Sequence, residues 1–141
     1  MSASIIKKKS KEFCVVEALI YNSKDEILLL KRSKNNSLWV NKWQLPGGKL
    51  ETNESSLRAI KREIKEESSL SYPNIRLKKV FYFNNVFKGV NERVSLKVYS
   101  CKLSKDSLVL SVDHSSFKFI NPKKIKKSSL TEISRISIFG L

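Results

Sequence analysis

An α/β (α+β) sandwich is the fold class this sequence predicts, and three observations predict it. Short β-prone runs flank one helical segment, a second helical segment closes the chain, and no linker is long enough to divide it. The chain has 141 residues, 40% of them hydrophobic, so one core in a single domain over 1–141 is expected. That composition excludes a disordered tail. Apolar runs such as Ile27–Leu30 fall far short of the about 20 residues that a membrane-spanning helix needs. The N-terminus has no apolar stretch of the secretory kind. A soluble cytoplasmic protein with no membrane partner is therefore expected, with residues 1–10 as a basic, partly flexible N-terminus.

The elements follow in order. Phe13 to Tyr21 and Glu26–Lys31 are apolar runs separated by the polar Asn22–Asp25, which is hairpin chemistry. Ser33–Lys42 is a polar loop carrying Trp39. Trp43–Leu45 is short and extended and ends at Pro46-Gly47-Gly48, a turn signal. Ser55–Ser68 has helical periodicity, with Leu57, Ile60 and Ile64 on one stripe. After a loop with Pro73, Ile75–Phe83 reads as a strand. Arg93–Leu103 alternates at Val94, Leu96 and Val98, then shifts phase to Tyr99, Cys101 and Leu103, which suggests a bulged strand. Phe117–Ile120 is a further strand. Asn121-Pro122 can open a helix, and Ser129-x-x-Glu132 has the spacing of a capping box before another. Cys14 and Cys101 both sit in strand-like runs, so each is expected as a small buried hydrophobe. With two distant cysteines, no Cys-x-x-Cys and one His in the chain, a Cys/His zinc site is not expected.

Charge singles out one segment. There are 28 Lys+Arg against 13 Asp+Glu, a formal net charge of +15, and such a field attracts nucleotides, nucleic acid and other polyanions. Yet Glu51, Glu54, Glu63, Glu66 and Glu67 gather within a few turns of chain, just after two of the four glycines. On a helix Glu63, Glu66 and Glu67 share about 100° of surface and repel one another. Glu54, Arg58 and Arg62, spaced by four, offer a compensating ladder. Hard cations such as Mg²⁺ take carboxylate oxygens together with substrate phosphates, and a Gly-Gly loop lets backbone carbonyls approach an ion. A solvated charged helix face is the plain alternative.

The order of these residues decides between the two. Gly48, five residues, Glu54, seven residues, then Arg62-Glu63-Ile64-Lys65-Glu66-Glu67-Ser68-Ser69-Leu70 resembles the signature box of the Nudix hydrolases. The box spans 48–70, and Ser69 is its one departure, standing where the family carries glycine. A strained, left-handed helix end at Ser69 is expected. The approach Trp43-Gln-Leu-Pro-Gly-Gly-Lys-Leu-Glu51 is also similar to the family's.

The resemblance implies a mixed β-sheet sandwiched between helices and metal-dependent hydrolysis of a phosphoanhydride in a nucleoside diphosphate-linked substrate. It implies Mg²⁺ (or Mn²⁺) as cofactor. Glu63 and Glu67 would be its main ligands, Glu66 a further ligand or the holder of a metal-bound water, and the Gly48 carbonyl would complete the set. Arg62 would orient Glu63 or Glu66, and Glu54 would close the loop of the box. The general base varies in the family; Asp113 is the candidate outside the box, because Asp113-His114 precedes a strand, with Glu92 as a rival. His114 itself reads as a packing or surface residue. Phe83, Phe119 and Trp39 are candidates for stacking on a base, with Phe81, Tyr82 and Phe87 behind them.

The family's proline mark for ADP-ribose cleavage and tyrosine mark for dinucleoside polyphosphates are both missing around Asn84–Phe87. The resemblance therefore favours a small (deoxy)nucleoside triphosphate pyrophosphohydrolase giving monophosphate and pyrophosphate, in nucleotide-pool sanitation. An ADP-ribose or dinucleoside polyphosphate hydrolase is the alternative within the class. A nucleic-acid-binding or RNA-processing protein on the same fold is the alternative outside it.

Overall fold

A computed structural model describes residues 11–34, 39–68, 74–87, 90–103 and 114–141. Seven strands form one mixed sheet: β1 (Lys11–Tyr21), β2 (Ile27–Arg32), β3 (Trp43–Gln44), β4 (Gly47–Lys49), β5 (Arg76–Phe87), β6 (Val90–Lys102) and β7 (His114–Ile120). Helix α1 (Ser56–Ser68) follows β4, and α2 (Glu132–Phe139) ends the chain. The strand order is β3-β2-β1-β6-β5, with β4 paired to β1 and β7 to β2. The central pair, β1 with β6, is parallel and runs in unbroken register from Lys11↔Glu92 to Tyr21↔Lys102.

Strand alternation supplies two buried faces. The even residues Val16, Ala18 and Ile20 of β1 pack with Leu28, Leu30, Ala59, Ile60 and Ile64, under α1. The odd residue Leu19 packs with Ile27, Leu29, Val94, Leu96, Val98 and Ile136, under α2. A sheet covered on both faces must be apolar on both, and this explains the phase shift in β6. Val94, Leu96 and Val98 fill the α2 side, whereas Tyr99 and Cys101 fill the α1 side. The expected bulge is therefore not in β6. It lies in the neighbouring strand, where the register slips between Leu77 and Lys79.

α1 begins where Ser55 caps it, accepting the Arg58 N–H at 3.2 Å. It buries Ala59, Ile60 and Ile64; each buried isoleucine contributes about 1.5–3 kcal/mol. Leu57, expected on the buried stripe, is exposed, because the helix lies on the sheet along its 59–60–64 line instead. α2 is capped by Thr131, two residues after the expected Ser129, with Thr131 Oγ1 accepting the Ser134 N–H at 3.3 Å. Asn121-Pro122 opens a single 3₁₀ turn, Pro122–Lys124, in place of a helix. Cys101 is buried, but Cys14 is exposed, since its position on β1 lies beyond the area that α1 covers.

Pro46-Gly47-Gly48 was expected as a turn and instead feeds β4. Gly47 and Gly48 lie flat against β1, paired with Glu17 and Val16. A Cβ on Gly47 would stand 2.1 Å from the Val16 carbonyl oxygen, so close approach, not a left-handed φ, demands glycine here. This pairing brings the chain just before α1 up against the sheet's centre. Ser69 and Asp113 lie outside the described residues. Among the described residues no helix is long and apolar enough to cross a membrane.

Candidate active site

The acids of α1 are organised by one arginine. Arg62 Nε and Nη2 donate to the two Glu54 oxygens at 2.7 and 2.9 Å, a bidentate pair. Its Nη1 donates to Glu63 Oε1 at 2.8 Å and Glu66 Oε1 at 3.0 Å, and Nη2 also reaches the Lys49 carbonyl at 3.2 Å. The expected ladder Glu54–Arg58–Arg62 is thus not the pairing observed. Glu54 lies in the loop before the helix, so it meets Arg62 at a separation of eight. Glu54 also accepts the Glu51 N–H at 2.9 Å, tying the 51–54 turn to the helix. The Arg62 bonds hold the Glu54 carboxyl down at about 2.

Glu63 and Glu67 sit on the side of α1 that faces β4. Glu67 Oε1 accepts the Gly47 N–H at 2.8 Å. The Glu63 carboxylate fills the space over Gly48, where a Cβ would stand 2.6 Å from its Oε1. Burial pushes the Glu63 carboxyl up, against the pull of Arg62. Glu66, further out, is exposed. Behind Glu67 lies His114, buried at the start of β7, with its Nε2 3.7 Å from Glu67 Oε2 and 3.0 Å from Gln44 Nε2. Arg32 Nη1 donates to the side-chain Oε1 of Gln44 at 2.9 Å, which continues the network across β2, β3 and β7. His114 is therefore more than the packing or surface residue its sequence context suggests.

The groups able to hold a divalent cation are Glu63, Glu66 and Glu67, with the Gly48 backbone beside them. Among the described residues no three Asp, Glu, His or Cys side chains converge on one point. Arg62 holds Glu63 and Glu66 by hydrogen bonds, whereas Glu67 accepts the Gly47 N–H on β4. The donor chemistry nonetheless fits a hard cation. The donors are carboxylate oxygens, one of them desolvated, and the glycine leaves room at the Glu63 carboxylate that any side chain would take.

A cavity of about 260 Å³ opens on the other side of Gly47–Lys49. Its walls include Val15 and Glu17 of β1, Gln44, Gly48, Trp39 and Thr131. Glu92 lines it too, from within β6 and not from a turn. Of the stacking candidates Trp39 reaches this cavity, with a φ of +60° that a bulky residue rarely adopts. Phe119 packs against the α1-side core and meets Phe117 edge to face, and Phe83 lines a separate groove beside Phe13 and Tyr82. Phe13, absent from the expected stacking set, lines both the cavity and the groove.

Glu17 is the site residue that sequence reasoning missed. It is buried and accepts Ser134 Oγ at 2.9 Å and Ser137 Oγ at 2.7 Å, which ties α2 to β1. Burial pushes its carboxyl up to about 8, despite these hydrogen bonds. The signal was present as an acid at an inward position of an alternating strand.

Comparison with known proteins agrees with this arrangement. A family model described as NUDIX domain matches residues 14–138. Over 63 residues the chain is 38% identical to the 8-oxo-dGDP phosphatase NUDT18 of Danio rerio, and over 62 residues 42% identical to the RNA pyrophosphohydrolase of Ruthia magnifica. Those stretches cover 45% and 44% of this chain but only 19% and 32% of the two relatives. Among solved structures, the MutT protein of Methanosarcina mazei superposes with a TM-score of 0.76 at 26% identity, over 94% of each chain. The MutT NUDIX hydrolase of Burkholderia pseudomallei superposes at 0.78 and 24%, over 93% of this chain and 98% of its own, a likeness of fold. With the family model spanning the sheet, the acidic helix and α2 together, the chain belongs to the Nudix family of hydrolases.

Proposed function

We propose that this protein hydrolyses a phosphoanhydride bond of a (deoxy)nucleoside triphosphate, giving monophosphate and pyrophosphate, and serves to clear damaged nucleotides. One observation carries the reading: the 47–49 segment has the carboxylates of α1 on one side and the cavity on the other. A nucleoside in the cavity would present its phosphates to Glu63, Glu66 and Glu67. The cavity, about 260 Å³, is just below the usual range of small-molecule pockets, about 300–1,000 Å³, which suits one nucleoside better than the two of a dinucleoside polyphosphate. The relatedness to an 8-oxo-dGDP phosphatase supports an oxidised guanine nucleotide among the substrates.

Glu63, Glu67 and Glu66 would hold Mg²⁺ or Mn²⁺ with the Gly48 carbonyl. The cation, when bound, would supply positive charge to the phosphate oxygens as charge develops on them. Arg62 sets the positions of Glu63 and Glu66 through fixed donors. The reaction forms a bond from water oxygen to one phosphorus and breaks the bridging P–O bond, releasing pyrophosphate.

A turnover screen tests this: normal and 8-oxo nucleoside di- and triphosphates, ADP-ribose and diadenosine polyphosphates, each with Mg²⁺, Mn²⁺ or EDTA. Pyrophosphate release from a triphosphate, abolished by EDTA, is the expected result. Cleavage of ADP-ribose or a dinucleoside polyphosphate with inert triphosphates would overturn the substrate assignment.

A further inference from the structure

Lysines of β7 and of the segment that follows it lie along one edge of the fold. From Phe117 to Ser129 there are five lysines and no acid. β7 places Lys118 opposite Leu29, on the side covered by α2, with its Nζ 4.3 Å from the centre of the Trp43 ring. Lys31, paired with Trp43 across β2 and β3, brings its Nζ to 5.8 Å from the same ring. The chain then returns along β3. Lys42 Nζ donates to the Ser128 carbonyl, Leu130 bridges Trp43, and the Thr131 N–H donates to the Trp43 carbonyl at 2.9 Å. That return fixes Lys126 and Lys127, both exposed, beside the strand that carries Trp43, and Lys127 Nζ covers the Phe139 ring at 4.7 Å.

Among the described residues none of Lys31, Lys42, Lys118, Lys126 and Lys127 lies in an ion pair. Five gathered ammonium groups without counter-charges repel one another and raise the local potential, which a bound polyanion would relieve. The strip also leads somewhere: Gln44 and Thr131, at its inner margin, line the cavity beside Gly48. Nothing about the strip matches an apolar membrane anchor, since its rings are covered by lysine amines.

We propose that the strip formed by Lys31, Lys42, Lys118, Lys126 and Lys127 around Trp43 is a docking surface for single-stranded nucleic acid. The lysines contact successive phosphates. A single strand fits because the strip runs into a cavity of one-nucleoside size, which an unpaired terminal nucleotide enters and a duplex end does not; this last step rests on the nucleotide reading of the cavity.

Fluorescence anisotropy with a labelled, unstructured 12-nucleotide RNA over a salt series tests the proposal by binding alone. Each lost phosphate contact on a single strand removes about 0.7 from the slope of log affinity against log salt. The triple variant Lys118→Gln/Lys126→Gln/Lys127→Gln is expected to lose about 2 from that slope. It should bind more than about tenfold more weakly at 0.1 M salt, with an unchanged denaturation midpoint. The control Arg76→Gln/Lys78→Gln/Lys102→Gln removes the same charge from β5 and β6, on the other half of the sheet, where all three are exposed. It should stay within about threefold of wild type by the same electrostatic reasoning. Equal losses in both variants would reduce the effect to net charge and overturn the proposal. So would equal affinity for a 12-base-pair duplex, or tighter binding to phosphatidylserine vesicles than to RNA. Inert triphosphates in the turnover screen would leave this binding result standing, so the two readings fail separately.

Discussion

Adjacent glycines give the sharpest test of how the site is built, because the same added methyl should break different things. In Gly47→Ala the new Cβ would stand 2.1 Å from the Val16 carbonyl oxygen and 2.8 Å from Glu17 Cα, both backbone. Reaching ordinary contact requires β4 to retreat from β1 by about 1 Å. That retreat strains the pairing of 47–49 with 15–17 and the 2.9 Å bond from the Ala18 N–H to the Pro46 carbonyl. Two hydrogen bonds at about 1 kcal/mol net each, with overpacking strain of about 1–3 kcal/mol, give a loss of about 3–5 kcal/mol. In a domain of this size that lowers Tm by roughly 10 °C.

In Gly48→Ala the atoms nearest to the new Cβ are those of the Glu63 carboxylate, with Oε1 at 2.6 Å. This is the far end of a flexible side chain held by one Arg62 bond, so it swings away by about 1 Å at modest cost, and stability should stay within about 1 kcal/mol of wild type. Turnover should fall about 100-fold, the usual result of misplacing a reacting group by about 1 Å. Thermal denaturation and pyrophosphate release, measured on both variants, check the pair. Wild-type turnover in Gly48→Ala would refute the placement of Glu63, and an unshifted Tm in Gly47→Ala would refute the close β4–β1 contact.

Three further outcomes are expected. Arg62→Lys keeps the charge but cannot reproduce the fork that holds Glu54, Glu63 and Glu66 together, so turnover should drop at least about tenfold with about 1 kcal/mol lost in stability; unchanged kcat would show the fork to be dispensable. Glu17 keeps its proton up to about pH 8 in the native state and releases it at its ordinary value of 4.5 when unfolded, so the native state binds more protons between the two and stability falls as pH rises from 5 to 8. The urea midpoint of Glu17→Gln should be flatter over that window, and an identical slope in both proteins would count against a protonated Glu17. Trp39→Gly relieves a φ of +60° and should hold stability or raise it by about 1 kcal/mol, while KM for the nucleotide rises; an unaffected KM would remove Trp39 from the binding surface.

What the sequence determined by itself was local. Hairpin, central helix and closing helix follow from periodicity and turn residues, and the acidic cluster of α1 follows from fixed spacing along one helix. Gly48, Glu54, Arg62, Glu63, Glu66 and Glu67 fall within 20 residues, so counting along the chain reveals their order. Even there, the partner of Glu54 was misread, because the helix starts at Ser56 and leaves Glu54 in the loop. Tertiary structure alone decided which face each residue serves. The phase shift in β6 reads as a bulge until the sheet is seen to be covered on both sides. Glu17 gains its meaning from Ser134 and Ser137, more than a hundred residues away, and Gln44 from His114, seventy residues on. Such contacts are set by the parallel β1–β6 pairing and by the return of the chain along β3, and neither has a signature of spacing in the sequence. Backbone packing likewise turned the two glycines after Pro46 from a turn signal into the start of a strand, because at Gly47 a Cβ would collide with the β1 backbone.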